Sequence, residues 1–333
     1  MNMKRLRSYV VLGMVLLLSM SLFANSGWEE TEWDVISFVS KKDKDSSIIL
    51  MNTGGATLER LAMDPGVPSE FTWSPNGRSI AYDSWHGGNL DIYVMDVGTN
   101  EHRQLTFDGN KDRFPAWSPN GKWIAFVSER AGSGNIYRMD ANGENMRQLT
   151  NKKDCRKPAW SPDSQWIAFS SEHSLWIMDA DGRRLRELTL TKRFSECSWS
   201  PDGKQIAFTS SLPNGGTEVF SIDVNGKNRR QLTRSVQLAV IWGPVWSPSG
   251  KWIAYIVGRI PAGGGPVTQI MTNGVISIVN TVDGAGGKPI EATRGLPKQS
   301  LQWVPKQLLP VSPSVEKQIT LWGALKQPES TTK

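Results

Sequence analysis

The sequence predicts an all-β protein folded as a six-bladed β-propeller with four antiparallel strands in each blade, and three observations support this prediction. A Trp-Ser-Pro motif recurs five times at intervals of 39 to 47 residues, a period typical of propeller blades. Each copy is followed by the same succession of turns and short apolar runs. The two ends of the chain carry complementary fragments of one further copy. The motif begins at Trp73, Trp117, Trp160, Trp199 and Trp246.

Each repeat provides four short apolar runs separated by turn residues. The first run ends in Trp-Ser-Pro, and a turn such as Asn120-Gly121 leads into an Ile-Ala-aromatic run such as 124–126. The third run contains an aromatic residue, such as Tyr137, and ends in an acidic turn; the fourth ends in Leu-Thr, as at 149–150. Turns of this kind favour hairpins because glycine accepts a positive φ angle. Short β-branched and aromatic runs favour strands over helices, and four such strands form a blade.

A sixth blade is divided between the two ends of the chain. Residues 36–40, 48–51 and 60–61 match the second, third and fourth strands of the repeat, and Trp303-Val304-Pro305 resembles the end of the first strand. Pairing of the N- and C-terminal strands would close the ring and leave no open sheet edge. We therefore place the propeller at residues 27–310 and a C-terminal extension, which we expect to be partly disordered, at 311–333.

The N-terminus has the pattern of a secretory signal peptide, which we place at residues 1–26. A basic segment with Lys4, Arg5 and Arg7 precedes an apolar stretch, 9–23, that is short for a membrane span, and a small-x-small sequence follows it. We therefore expect a periplasmic or secreted protein with no stable membrane span after cleavage. An uncleaved anchor is the alternative interpretation.

The net charge argues against a nucleic-acid partner. The formal charge of +6 at pH 7 includes the three cations of the predicted signal peptide, so the mature chain is closer to neutral. Proteins that bind nucleic acids usually carry a much stronger basic surplus, so we expect no nucleic-acid partner. We expect a monomer that uses no cofactor.

The repeat resembles the WD40-like (PD40) propeller repeats of the TolB family. The shared pattern is Trp-Ser-Pro-(Asp/Asn)-Gly-Lys-x-Ile-Ala-(Phe/Tyr), followed by Ile-Tyr-x-Met-Asp and Arg-Gln-Leu-Thr, and it extends over about residues 33 to 305. The resemblance implies a protein-binding role, since TolB belongs to the periplasmic Tol–Pal system and its propeller contacts the lipoprotein Pal. TolB also carries an α/β domain before its propeller. We expect this chain to lack that domain, because only residues 27–32 separate the predicted signal peptide from the first strand.

Candidate binding residues lie in two sets of loops that a propeller places on one face: the crossing loops between blades and the hairpin loops between second and third strands. Uneven charge over these loops predicts a basic sector that would bind an anionic polymer or an acidic protein; an ordinary solvated surface is the alternative. Trp85 and Trp242 are interpreted either as exposed contact residues or as covers of small loop cores. The full candidate set is Trp85, His86, Lys111, Arg113, Arg130, Lys152, Lys153, Arg156, Lys157, His173, Lys192, Arg193 and Trp242.

Catalytic and metal-binding motifs have little support in the sequence. It contains no Gly-x-Ser-x-Gly motif, glycine-rich phosphate loop or zinc-ligand spacing, so we assign no catalytic residue and no metal ligand. Residues 179–182, Asp-Ala-Asp-Gly, begin like a calcium loop, but Leu190 stands where the bidentate glutamate belongs, and we interpret them as a hairpin turn. His86 and His173 would need carboxylates from across the channel mouth to form an acid–base or metal site.

The two cysteines leave two alternatives open. Cys155 and Cys197 fall in crossing loops of neighbouring blades. An exported protein permits a disulfide there if the two Cα atoms approach closely enough, and two free thiols are the other interpretation.

Taken together, these observations favour a non-catalytic exported propeller that acts as a binding scaffold for a protein or a cell-envelope component. The alternative is a propeller enzyme, a polysaccharide lyase or hydrolase, in which histidine, arginine and carboxylate side chains converge at the mouth of the channel.

Overall fold

Six four-stranded antiparallel sheets account for all the strands in the part of the chain that the computed structural model describes. This part comprises residues 35–42, 45–62, 69–191, 196–213, 215–235, 239–259, 274–282, 284, 288–290, 293 and 298–304. The sheets form the predicted six-bladed β-propeller. The predicted signal peptide and C-terminal extension lie outside the described residues.

Each sheet is one blade, and the strands are numbered in chain order. Blade 6 begins the chain with β1 (Val35–Lys42), β2 (Asp45–Asn52) and β3 (Thr57–Ala62). Blade 1 contains β4 (Phe71–Trp73), β5 (Ser79–Ser84), β6 (Asp91–Asp96) and β7 (His102–Gln104). Blade 2 contains β8 (Asp112–Trp117), β9 (Trp123–Ser128), β10 (Asn135–Asp140) and β11 (Arg147–Gln148).

The second half of the chain continues the series. Blade 3 contains β12 (Arg156–Trp160), β13 (Trp166–Ser171), β14 (Ser174–Asp179) and β15 (Arg186–Leu190). Blade 4 contains β16 (Cys197–Trp199), β17 (Gln205–Ser211), β18 (Thr217–Asp223) and β19 (Arg230–Gln231). Blade 5 contains β20 (Ala239–Trp246), β21 (Trp252–Arg259), β22 (Val275–Asn280) and β23 (Lys288–Pro289), and β24 (Lys298–Trp303) completes blade 6.

The ring closes where the sequence predicts it. Strand β24 pairs antiparallel with β1, so that Trp303 lies opposite Ile36 and Leu301 lies opposite Phe38. This pairing joins the two ends of the described chain in one sheet, which covers the edge that β1 would otherwise expose.

The Trp-Ser-Pro motif stabilises blades 1 to 5 through a local hydrogen-bond network. In blade 2 the Ser118 hydroxyl donates to Asn120 Oδ1 at 2.8 Å and accepts from the backbone N–H of Trp123 at 2.9 Å. Gly121 closes this turn with a φ of 75°, which glycine adopts at little cost. The motif therefore specifies the tight turn between the first two strands.

The motif also connects neighbouring blades. The indole N–H of Trp160 donates to the carbonyl of Ala116 in the preceding blade at 3.0 Å, and Trp199 donates to Ala159 in the same way, also at 3.0 Å. The hydrophobic clusters likewise lie between blades; in one of them Val127 of blade 2 packs with Phe169 of blade 3. Because both faces of each sheet are buried, the strands are apolar without alternation.

The Leu-Thr element supplies a second repeated hydrogen bond. The hydroxyl of Thr150 accepts from the backbone N–H of Ile136 at 2.9 Å, and equivalent bonds recur in blades 1, 4 and 5. In blade 5 the sequence pattern pairs Thr293 with Ala292, but the structure places Ile290 in the leucine position, since its N–H bonds to the carbonyl of Ile276. Two residues separate Ile290 from Thr293 in the sequence, whereas leucine and threonine are adjacent in the repeats of blades 1 to 4.

Candidate functional site

One residue from each blade contributes to a ring at one end of the central channel. Each of these residues lies three positions before the tryptophan that ends the first strand of its blade, and all six line the same cavity. We call this set the mouth ring: Glu70, Phe114, Lys157, Glu196, Gly243 and Ser300.

Backbone geometry brings several of these side chains to the channel. Strands β8, β12, β20 and β24 each have a bulge at the mouth-ring position. The bulged residues Phe114, Lys157, Gly243 and Ser300 have φ angles of 58°, 45°, 62° and 48°. A bulge with a left-handed residue bends the strand and changes the direction of its side chain, and this is uncommon for residues other than glycine.

The cavity extends along the channel from the mouth ring to the prolines of the Trp-Ser-Pro turns. Its volume is about 580 Å³, which is within the range of small-molecule binding sites. Five tryptophans and seven prolines are among the residues that line it, for example Trp160, Trp199, Pro158 and Pro244.

Three charged members of the mouth ring form an ion triad across three blades. The ammonium of Lys157 lies 2.5 Å from Glu70 Oε1 and 2.8 Å from Glu196 Oε1. The three side chains are between 18% and 25% exposed, so solvent screens them only in part. Lys157 also lies over the ring of Phe114, with Nζ 5.5 Å from its centroid.

Burial and the charges of neighbouring side chains shift the pKa values of Glu70 and Lys157. Burial raises the pKa of Glu70 to about 7; the charges of Glu196 and Asp83 also raise it, while Lys157 opposes the shift. Burial by itself would lower the pKa of Lys157, but Glu196 and Glu70 outweigh it and hold that pKa above its ordinary value. Lys157 is therefore protonated at neutral pH, whereas Glu70 exchanges protons near neutrality.

The carboxylate of Asp83 holds the backbone of two mouth-ring residues, Glu70 and Phe114, in place. Its fully buried carboxylate accepts from the backbone N–H of Ser69 at 3.1 Å, from the Ser69 hydroxyl at 2.7 Å and from the N–H of Glu70 at 2.9 Å. It also accepts from the N–H of Phe114 in the next blade at 3.0 Å. Two neighbouring members of the mouth ring are thus held by one buried carboxylate.

Exposed aromatic side chains lie outside the channel, on the loops of blade 1. Trp85 is 54% exposed and Phe107 is 74% exposed. Lys111 Nζ lies 5.9 Å from the Trp85 ring centroid, and Asn89 Nδ2 donates to the carbonyl of Asn110 at 2.8 Å, which holds the two loops side by side. We call Trp85, Phe107 and Lys111 the aromatic patch.

Trp242 does not share this exposure. It lies within β20, is half-buried, and packs against the cluster that contains Ile256 and Ile276. A Cβ atom at Gly274 would lie 3.2 Å from its ring, so the indole fits against a glycine. For Trp242 the interpretation as an exposed contact residue is wrong, because β20 extends far enough to include this residue.

Most cations of the predicted basic sector already have partners. Arg113 pairs with Glu129 at 2.9 Å, and Arg130 pairs with Asp108 and Asp112, both at 3.0 Å. Lys152 lies 3.6 Å from the ring centroid of Trp176 and 3.9 Å from a carboxylate oxygen of Glu172. Lys153 is exposed and Arg156 is half-buried. Lys192 and Arg193 lie outside the described residues.

The histidines do not meet at the channel. His86 is exposed and contacts the edge of the Tyr93 ring, with centroids 6.0 Å apart. His173 is exposed, and its carbonyl accepts from Thr191. Neither is among the described residues that line the cavity.

Both thiols are free in the structure, so the disulfide alternative is not realised. Cys155 is fully buried in the cluster between blades 2 and 3, with Sγ 3.5 Å from Thr150 Oγ1. Cys197 packs against the next cluster and lines the channel beside Glu196. The offset of the two positions within the repeat therefore places them in different interblade layers.

The Asp-Ala-Asp-Gly segment is a hairpin turn, as predicted. Asp179 Oδ1 accepts from the backbone N–H of Asp181 at 3.0 Å and of Arg183 at 2.8 Å. Asp181 Oδ1 pairs with Arg147 of the preceding blade at 2.9 Å. Across the described part of the chain, no three His, Cys, Asp or Glu side chains are grouped to hold a metal ion. In the same part, no helix has the length and apolarity to cross a membrane.

Six residues of the mouth ring and the aromatic patch are absent from the candidate set derived from the sequence: Glu70, Phe114, Glu196, Gly243, Ser300 and Phe107. The five mouth-ring residues could have been found from the repeat, because each lies three positions before its tryptophan, where Lys157 lies in blade 3. Phe107 has no comparable signal, since an aromatic residue just after Leu-Thr is as compatible with burial as with exposure.

Comparisons with known proteins agree with this architecture. The family model of the TolB beta propeller domain (PD40) matches residues 28–174 and 151–272. TolB from Acinetobacter baumannii is 22% identical with a TM-score of 0.64, and the match covers 81% of this chain and 66% of that one. A TolB candidate from Agrobacterium tumefaciens is 17% identical with a TM-score of 0.60, covering 82% and 99%.

An oligogalacturonate lyase from Vibrio parahaemolyticus is 13% identical with a TM-score of 0.51, and the match covers 78% of this chain and 74% of that one. At such identities these structures share the fold alone. The chain spans slightly less than two thirds of the length of the Acinetobacter TolB.

Proposed function

The chain belongs to the TolB β-propeller domain family, and on that premise we propose that it is a non-catalytic, exported scaffold that binds a protein or another cell-envelope component. The aromatic patch carries this proposal. Trp85 and Phe107 are both more than half exposed, on two loops that the Asn89–Asn110 hydrogen bond holds side by side, and tryptophan is enriched among the residues that anchor protein interfaces.

The patch has the chemistry of an interaction anchor. Trp85 and Phe107 supply apolar area, and Lys111 and His86 supply a polar rim. Gly87 and Gly88, with φ angles of 73° and 90°, turn the loop that presents Trp85, and no atom lies within 4 Å of a Cβ built at either position. The loop is thus shaped by its own backbone geometry. The hydrogen bond from Asn89 to the Asn110 carbonyl also ties it to the neighbouring loop that contains Lys111.

The enzyme alternative has weaker support. It requires histidine and arginine to converge with carboxylates at the channel mouth, whereas His86 and His173 lie outside the cavity lining and Arg113 and Arg130 are paired with acidic residues. The likeness to the Vibrio lyase concerns the fold. We therefore retain binding as the proposed function.

Site-specific photo-crosslinking tests the proposal. A benzophenone amino acid introduced at position 107 is expected to give a discrete covalent adduct in cells or envelope extract. The matched control is position 282, where Val282 is apolar and 77% exposed. It lies in the turn between β22 and β23, the third and fourth strands of blade 5, and such turns are on the face of the propeller opposite to the loop of Phe107. In the position-107 protein, Trp85→Ala should reduce the adduct severalfold. Equal adducts at both positions, or none at position 107, would contradict the proposal.

The proposed compartment is the periplasm or the cell exterior. The N-terminal basic and apolar segments support it, as does the periplasmic placement implied by the family. Fractionation of cells expressing the full chain tests it. We expect the mature protein, shortened by about 26 residues, in the periplasmic or secreted fraction; retention of full-length chain in the cytoplasm would contradict it.

A further inference from the structure

The loop that presents Phe107 is attached to the next blade by an ion pair. Asp108, which follows Phe107 in the crossing loop, lies 3.0 Å from Nη2 of Arg130 in blade 2. The side-chain hydrogen bond from Asn89 joins the same loop at Asn110, three residues beyond Phe107. The ion pair therefore holds the chain directly beside the exposed phenylalanine, whereas the amide hydrogen bond supports the far end of the loop.

Arg130 itself is held in a defined position. Its Nε donates to the hydroxyl of Ser128 at 2.8 Å. Its guanidinium carbon lies 4.9 Å from the ring centroid of Tyr137 and 5.9 Å from that of Phe126. Ser128, Tyr137 and Phe126 are all buried in blade 2, so they keep the guanidinium in place. The loop carboxylate is therefore the movable partner of the ion pair.

The same guanidinium has a second carboxylate partner. Nη2 of Arg130 also lies 3.0 Å from Oδ2 of Asp112, the first residue of β8. The Asp112 side chain is fully buried, whereas that of Asp108 is 36% exposed. Asp112 Oδ1 is buried and accepts no hydrogen bond of good geometry in the described part of the chain. Two carboxylates thus share one cation, an arrangement in which the buried carboxylate gains a proton more readily.

Protonation of Asp112 changes how the guanidinium is shared. Burial raises the pKa of Asp112 to about 6; the charge of Asp108 adds to this shift, and Arg130 opposes it. Above this pH the ionised Asp112 competes with Asp108 for Arg130, and the two carboxylates repel each other. Below this pH Asp112 is neutral, and Asp108 becomes the stronger partner of the guanidinium.

Other titratable groups face Arg130 from the elements around it. Asp91, at the start of β6, and Tyr137, in β10, both interact with its charge, and burial raises the pKa of each. The hydroxyl of Thr106 donates to Asp91 Oδ1 at 3.1 Å, whereas Asp112 contacts the guanidinium directly. Asp112 is therefore the titratable group best placed to compete for Arg130.

We propose that Arg130 positions Phe107 for binding by holding Asp108, and that competition from Asp112 makes this hold tighter in acid than at neutral pH. Arg130 lies outside the aromatic patch, so it acts as a positioning residue. The inference deepens the proposed function and rests on it, because Phe107 belongs to the patch. A loop held in its binding conformation loses less freedom on association, so a partner should bind more tightly in acid.

Hydrogen–deuterium exchange of the full chain tests the inference without a partner. Peptides that cover residues 105–111 are compared between pH 5 and pH 7.5, after correction for the intrinsic effect of pH on exchange. We expect exchange to be about two- to fivefold slower at pH 5, the change that one partly exposed ion pair produces. The transition should have its midpoint near the pKa of Asp112, about 6.

Two variants identify the carboxylates. Asp112→Asn preserves the shape of the buried side chain and removes its charge, so exchange should be slow at both pH values. Asp108→Asn removes the ionised partner in the loop, so exchange should be fast at both. Thermal unfolding identifies the variants that fold. Asp108→Asn alters a partly exposed side chain, so it keeps the inference testable if Asp112→Asn does not fold.

Three control variants should leave the transition unchanged. Glu129→Gln alters a neighbouring carboxylate, which pairs with Arg113. His86→Asn removes the titratable group in the other loop of the aromatic patch. Asp91→Asn removes another buried carboxylate near Arg130.

Several results would overturn the inference: no transition in the wild type, a transition that persists in folded Asp112→Asn or in Asp108→Asn, or its loss in any control variant. Crosslinking at position 107 separates these results from the proposed function. An adduct without a transition supports the function and overturns the inference. A transition without an adduct confirms the hold of Arg130 on the loop and contradicts the function.

Discussion

The glycine of the Asp179–Gly182 turn offers a stringent test of how neighbouring blades pack. Gly182 has a φ of 80°, and a Cβ atom there would lie 2.5 Å from the carbonyl oxygen of Leu149 and 3.0 Å from its Cα, in the preceding blade. Gly121 has nearly the same φ, 75°, but no atom within 4 Å of its Cβ position. Alanine at Gly121 therefore tests backbone strain by itself, whereas alanine at Gly182 tests backbone strain together with steric overlap.

Gly121→Ala should cost only the left-handed conformation, about 1 kcal/mol. Gly182→Ala carries this cost and the displacement of a neighbouring backbone, which adds roughly 1–3 kcal/mol. We therefore expect the free energy of unfolding of Gly182→Ala to lie below that of Gly121→Ala by roughly 1–3 kcal/mol.

Guanidinium denaturation followed by tryptophan fluorescence measures both variants, and an unchanged denaturant dependence validates the comparison. Equal destabilisation of the two variants would refute the interblade contact. Stabilisation of the wild type by millimolar calcium, lost in Asp179→Asn, would instead refute the assignment of this segment as a turn.

Three further predictions concern buried polar groups. Burial raises the pKa of Glu70 from 4.5 to about 7, so the folded state holds this proton more tightly, and stability is lost as pH rises through that window. In Glu70→Gln the decrease in unfolding free energy over this window should be smaller, by up to roughly 3 kcal/mol; parallel pH profiles of the two proteins would contradict this. Thr150→Val leaves the N–H of Ile136 unpaired and should cost about 1–3 kcal/mol in urea titrations, whereas Thr150→Ser should keep most of the stability; equal losses would count against the capping bond. Burial raises the pKa of the Cys155 thiol, and burial followed by the charge of Glu196 raises that of Cys197 to about 12. Neither should react readily with a thiol reagent at pH 8 in the native protein, and both should react after unfolding without reductant; fewer than two reactive thiols in the unfolded chain would indicate a bridge.

The candidate site was only partly predictable from sequence, and the tryptophans show why. The repeat pattern assigns both Trp85 and Trp242 to loops. Trp85 is exposed, whereas β20 extends over Ala239–Trp246 and includes Trp242 in the sheet. Strand length beyond the repeat depends on which neighbouring backbone is available for pairing, and sequence periodicity does not report this.

Charged residues show the same limit. The sequence identifies Lys152, Lys157, Arg113 and Arg130 as cations on loops of one face, but each finds an acidic partner in the structure. Lys157 and Glu70 are 87 positions apart along the chain. No local pattern links them, because their contact depends on a bulge in β12 and on the closure of the ring.

The sequence alone determined the blade count, the strand order, the closure of the ring by β24 and β1, and the turn character of Asp179–Gly182. The turns follow from hydrogen bonds between residues a few positions apart, such as Ser118 with Asn120, repeated at a fixed period, and the ring closure follows from the two terminal fragments that together match one further copy of the repeat. Tertiary structure alone decided the contacts of Lys157 with Glu70 and Glu196, the exposure of Phe107, the packing of Trp242 and the separation of the two thiols. Each of these depends on which blades face one another across the channel or stack side by side. Such contacts form between segments that are far apart in the chain, and no local sequence pattern indicates them.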